Sequence, residues 1–196
     1  MKPIARNEIL GIADYETIRP HFRARIVDEK KIRRVPLGDR VTVVFENRDT
    51  VLLQIQEMLR TERITREAAI LHEIATYNAL VPGDSELTCT LMIEIMEREE
   101  REAFLTSAVG FERHVAIEVD GERLPAAWEA SRELEGRTSA VHYLRFKLPS
   151  RAAAALRPLA DPKAAPAPSP PAVSILVDHP VHAVIATLAD RASCFF

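Results

Sequence analysis

The chain has 196 residues, 47% of them hydrophobic and 28% charged, with a formal net charge of −3. That length suits one domain with a sizeable core, and the balance is that of an ordinary soluble globular protein. A slightly acidic chain has no general electrostatic attraction for nucleic acid or anionic membranes, so neither is expected as a partner.

The N-terminal third reads as helical. "ADYETIRP" offers Asp14 as a cap, and Pro20 suits the first turn of a second helix running through "HFRARIVDEKKIRRV". Its basic run, Lys30, Lys31, Arg33 and Arg34, follows Asp28 and Glu29 and reads as a solvated helix face. "PLGD" breaks the chain before "RVTVVFE", a β-branched strand, and Asp49 or Thr50 is placed to cap the next helix. In that helix Val51, Leu52, Ile55, Met58 and Leu59 share one face. "ITREAAILHEIATYNALVP" is a further helix, with Thr65 as cap and Pro82-Gly83 as stop.

"ELTCTLMIEI" then predicts a strand, and "EREEREAFLTSAVG" a charged amphipathic helix ending at Gly110. "HVAIEVDGE" predicts a strand entering an Asp-Gly turn, and "AVHYLRFKLP" another strand. Residues 157–172 carry six of the thirteen prolines and predict a Pro/Ala-rich linker. "VSILVDHP" resumes as a strand. The predicted organisation is therefore a globular domain over 1–156, a linker over 157–172, and a C-terminal strand and tail over 173–196 returning to the same sheet. Helices and strands mix without regular βαβ alternation. The expected fold class is α+β, with N-terminal helices and a mostly antiparallel sheet packed by helices.

Two cysteines, Cys89 and Cys194, lack the spacing of a zinc site or a disulfide scaffold, and Cys89 reads as a small core residue. The N-terminus lacks a continuous apolar run, and no window approaches about eighteen uncharged apolar residues. A reducing cytoplasm is the expected compartment.

The chemistry-bearing residues sort by strand alternation. His142 shares a face with Leu144, Phe146 and Leu148, whereas Tyr143, Arg145 and Lys147 share the other. His179 shares a face with Ile175 and Val177. A buried imidazole needs hydrogen-bond partners, so each histidine is either a satisfied core residue or a ligand or acid–base group. Glu46, at a strand end on the face of Val44, is their candidate companion. Glu46, His142 and His179 form the candidate metal set, with iron, manganese or zinc as the fitting divalent ions. No nucleophile elbow, P-loop or dinucleotide-binding glycine motif is present, and six glycines leave little room for phosphate-cradling loops.

The polar collar Glu46-Asn47-Arg48-Asp49 has an ordinary explanation in turn and capping chemistry. Gln54 and Gln56 flank the apolar stripe of their helix, as boundary residues do. Asn47 and Arg48 remain as candidate pocket residues at the strand end, together with Glu62, which falls near the centre of the stripe if the helix extends that far.

"RPHFRARI", "FENRDTVLLQIQEML", "HEIATYNALVP", "TLMIEI", "VHYLRFKL" and "VDHP" together resemble the bacterial domain-of-unknown-function family numbered 3501. The likeness runs in order from the N-terminus to about His179. It implies a bacterial protein encoded near rubrerythrin-like and iron–sulfur oxidoreductase genes, and so an accessory role in oxidative stress with such proteins as partners. It carries no activity. The chain departs from the family pattern in the length of its Pro-Ala linker and after "DHP", where His182 and an apolar tail stand where an aromatic is usual. The leading expectation is a cytoplasmic accessory protein; the alternative is a metal-dependent enzyme or metal-binding protein.

Overall fold

The computed structural model describes residues 1–128, 135–160 and 171–188. The fold is α+β, as the order of segments predicts. Helices α1 (Ile12–Arg33), α2 (Arg48–Thr61) and α3 (Glu67–Asn78) lead, interrupted by strands β1 (Arg34–Leu37) and β2 (Val41–Phe45). Then come β3 (Glu86–Ile93), α4 (Arg98–Ser107), β4 (Val115–Val119), β5 (Glu122–Pro125), β6 (Val141–Lys147), α5 (Ser150–Ala160), β7 (Val173–His179) and β8 (His182–Thr187).

The strands divide into two antiparallel sheets, ordered β1-β2-β3-β6 and β5-β4-β7-β8. The sequence predicts a return to one sheet; instead β6 and β7, on either side of the proline-rich segment, lie in different sheets. The inner faces meet over one core. Val43 and Phe45 of β2, Leu87, Cys89 and Leu91 of β3, and Leu144 and Phe146 of β6 oppose Val115 and Ile117 of β4 and Ile175 and Val177 of β7. Alternation alone produces this, because apolar residues two apart share one side of a pleated strand. The edges also adjoin. Ala127 and Arg145 exchange backbone hydrogen bonds of 2.7 and 2.9 Å where β5 nears β6, and His182 Nε2 lies 2.8 Å from the Leu37 carbonyl where β8 nears β1. The result is a flattened barrel, whose seams leave few open edges for unwanted pairing.

α1, α2 and α3 cover the outer face of the first sheet. Val51, Ile55 and Leu59 of α2 pack on Ile70, Ile74 and Tyr77 of α3, and Tyr15 and Ile26 of α1 enclose Leu53. α1 is one helix of 22 residues with Pro20 inside it, rather than a helix ending where Pro20 starts another. Proline removes a single i→i−4 bond, and burial of Tyr15 and Ile26 on either side holds the helix across that gap. Gly11, not Asp14, is its N-cap, and Arg66, not Thr65, precedes α3.

Three elements escape the sequence reading. "RVPL" forms β1, paired antiparallel with β2 through the Gly38 turn. Helix α5 takes in residues 157–160, where the linker is expected to begin; residues 161–170 of that linker lie outside the described residues. The segment after "DHP" turns back as β8 against β7, with His179 opposite His182. His182 places its ring 6.2 Å from Phe104 and 6.0 Å from Phe111, against the aromatic part of the core. Cys194, Phe195 and Phe196 lie outside the described residues. No described helix is long and apolar enough to cross a membrane.

The Asp-Gly turn is where it is expected, joining β4 to β5 with φ of 50° at Asp120 and 82° at Gly121. A Cβ on Gly121 meets nothing within 4 Å, so its replacement is purely a backbone matter. Gly121→Ala is expected to cost about 1–2 kcal/mol and Gly121→Asn less, since Asn tolerates the left-handed region. Urea unfolding midpoints of the two variants check this.

Candidate functional site

The strand-to-helix collar is a dense polar joint. Asn47 caps α2: its side chain accepts from the Thr50 amide at 2.9 Å, while its own amide donates to the Thr50 hydroxyl at 3.0 Å. The Glu46 carboxylate accepts from the Thr50 hydroxyl and, at 2.6 Å, from Thr90 of β3. Asn47 Nδ2 also donates to Glu29 of α1, which meets Arg33 at 3.2 Å. Arg48 pairs with Glu8 and donates to the Lys2 carbonyl at 3.0 Å, tying down the N-terminal segment. Gln56, expected at the boundary of its stripe, is buried instead. It clamps Leu10 through both backbone groups, at 2.7 and 3.3 Å.

Beside this joint the helical layer stands off the sheet and leaves a cleft of about 250 Å³. Val44, Met92, Val141 and Tyr143 come from the outer face of the sheet, Val51 from α2, and Leu80 from the segment after α3. Four polar residues join them: Glu46, Thr90, Gln54 of α2 and Lys30 from the last turn of α1. The cleft adjoins a second hollow of about 310 Å³, sharing Leu80 and Tyr143 and adding Trp128 and Arg145. Arg145 is engaged with Glu86 and the Ala79 carbonyl.

On the helices beside the cleft several charges are paired. Arg19 meets Glu57, Arg25 meets Asp49, Lys31 meets Asp28, Arg33 meets Glu29, Arg48 meets Glu8, and Arg60 meets Glu16. Lys30 and Gln54 differ: among the described residues neither side chain has a polar partner. An ammonium and an amide left without partners at an apolar cleft are groups available to a ligand.

The candidate residues separate. Glu46 lines the cleft. Asn47 and Arg48 are committed to the joint beside it, and Glu62 is exposed at the C-cap, because α2 stops at Thr61 and never brings Glu62 under its stripe. His142 and His179 point into the barrel, 6.5 and 5.6 Å from the Phe111 ring. The first sheet therefore lies between Glu46 and His142, and the candidate metal set does not converge. Among the described residues no group of three His, Cys, Asp or Glu is placed to hold a metal ion. Cys89 is fully buried, and loss of hydration pushes its thiol well above the usual range, which suits a core residue.

The family profile described as "Protein of unknown function (DUF3501)" matches residues 3–192. The chain belongs to this family. It is also similar to a solved structure, the crystal structure of a novel protein of unknown function from Burkholderia pseudomallei K96243. The two share 33% identity with a TM-score of 0.87, over 99% of this chain and 97% of that one. No curated protein matches. Family membership thus accounts for the architecture and leaves the chemistry to the residues of the site.

Lys30 reads in the sequence as part of a solvated basic face, although its place one turn before the buried Arg33 puts it near the sheet. Thr90, Met92 and Tyr143 were legible: alternation places them opposite Cys89, Leu91 and His142. The other unforeseen cluster surrounds His142. Buried Glu112 accepts from the Thr138 hydroxyl at 3.3 Å, and Thr138 Oγ1 lies 3.0 Å from His142 Nε2. Hydroxyl and ring thus satisfy each other, and Glu112 stands 3.8 Å from His142 Nδ1.

Burial holds His142 below its ordinary value of 6.5, against the opposing pull of Glu112. The unfolded chain therefore binds the extra proton first as pH falls below about 6.5. The contribution is complete above that value and is lost as pH drops through the depressed one. His142→Gln, which cannot take up the proton, is expected to narrow its stability gap to the native protein as pH falls through that window. Urea unfolding at a series of pH values measures the gap; a constant gap contradicts the assignment.

Proposed function

We propose that this is a cytoplasmic small-molecule-binding protein, whose ligand lies in the cleft between α2 and the outer face of the first sheet. The observation that carries the reading is the combination of an apolar enclosure with the side chains of Lys30 and Gln54, which have no polar partner among the described residues. Binding pockets have this composition: apolar walls supply affinity and a few polar groups set orientation. At about 250 Å³ the cleft takes a small metabolite rather than a nucleotide.

The rubrerythrin-like and iron–sulfur oxidoreductase partners, with their oxidative-stress setting, rest on the resemblance alone; neither the cleft nor the solved relative adds to them. An accessory role of that kind would run through what the cleft binds. The Glu46, His142 and His179 metal reading is not carried forward, because the sheet divides its ligands.

n-Hexanol, with an apolar body and one hydroxyl, is a suitable first probe. It is expected to shift the NMR signals of Val44, Met92, Val141 and Tyr143. Val141 is 43% exposed on strand β6 at the edge of its sheet, so Val141→Trp can obstruct the cleft without disturbing the core. The variant is expected to weaken n-hexanol by roughly tenfold while shifting stability by no more than about 0.5 kcal/mol. Shifts confined to residues around Phe111, or binding unaffected by the substitution, would sink the proposal.

A further inference from the structure

Three polar groups of opposite character meet in the cleft, and together they specify more than an apolar ligand. Glu46 is 7% exposed, and each of its carboxylate oxygens accepts one hydroxyl hydrogen bond, from Thr50 and from Thr90. A carboxylate oxygen has two lone-pair sites, so both retain accepting capacity towards the cleft. Lys30 offers an ammonium with no carboxylate partner among the described residues, and Gln54 an amide with both donors and its acceptor unengaged. An anionic ligand alone would satisfy Lys30 and meet repulsion from Glu46. A cationic one would satisfy Glu46 and meet Lys30. A molecule carrying both charges matches the pair.

Resting on the proposed cleft, we infer that its ligand is a zwitterion with an apolar body, of the size and kind of an aliphatic or aromatic α-amino acid. The ligand ammonium donates to Glu46, and its carboxylate accepts from Lys30 and Gln54. The side chain lies on Val44, Met92 and Val141, with Tyr143 and the adjoining hollow leaving room for a ring. The surroundings favour strong pairing, since charges partly withdrawn from water interact through a lower effective dielectric. The neighbouring cations do not compete for the ligand carboxylate, because Arg25, Arg33 and Arg48 are each held by a carboxylate of the protein.

The test compares L-leucine with two truncated relatives, isoamylamine, which lacks the carboxylate, and isocaproate, which lacks the ammonium. Titration calorimetry on the full chain is expected to rank L-leucine above each by roughly tenfold or more. Glu46→Gln is expected to abolish the preference for leucine over isocaproate, and Lys30→Gln the preference for leucine over isoamylamine. n-Hexanol titrated into both variants reports whether the cleft is intact. Hexanol binding with leucine no tighter than its truncated relatives, or with preferences unchanged in both variants, overturns the zwitterion and leaves the cleft reading standing. Failure of hexanol and all three ligands overturns both.

Discussion

The carboxylate of Glu46, held between the hydroxyls of Thr50 and Thr90, is the contact on which the helical layer depends. A buried carboxylate is costly unless its lone pairs are met, and here one donor comes from the helix and the other from the sheet. The same threonine completes the Asn47 cap. One short segment thus ends a strand, starts a helix and ties both to β3. Glu29 and Arg33 carry the joint on to α1, and Arg48 carries it to the N-terminal segment. The angle at which α2 leaves this joint sets the gap between helix and sheet, and the cleft is that gap.

The first sheet has two working faces. Its inner face is part of an apolar core shared with the second sheet, and the polar groups admitted there, Glu112, Thr138 and His142, satisfy one another. Its outer face is mixed. Thr88, Thr90 and Glu46 alternate with Val44, Met92 and Tyr143, and helices cover it incompletely. A face that is neither fully apolar nor open to water is where a cleft with oriented polar groups can persist without destabilising the core. The histidines that drew attention in the sequence belong to the first environment. Lys30 and Gln54, without partners among the described residues, belong to the second.

Much of the fold was legible because side-chain periodicity is local. The runs "VTVVF", "LTCTLMI", "VAIEV" and "VHYLRFK" all became strands, His142 turns inward with Leu144 and Phe146 as alternation predicts, and the apolar stripe of α2 packed as its spacing predicts. Where reading and structure part, the cause is a neighbour distant in sequence. "RVPL" looks like the end of a helix until β2 pairs with it. "VHAVIAT" looks like a tail until β7 does the same. Pro20 looks like a start until packing of Tyr15 and Ile26 runs the helix through it.

Residue type and spacing within single segments set the strand character of the runs and the polar character of the collar, and the order of segments set the fold class and the family. Long-range contacts settle that the strands divide into two sheets, that Glu46 and His142 lie on opposite sides of one of them, and that Lys30 and Gln54, without partners among the described residues, line the same cleft as Glu46. The physical reason is that pairing and burial depend on what the rest of the chain brings alongside. Thr90 reaches Glu46 across 44 positions, a separation no local pattern encodes.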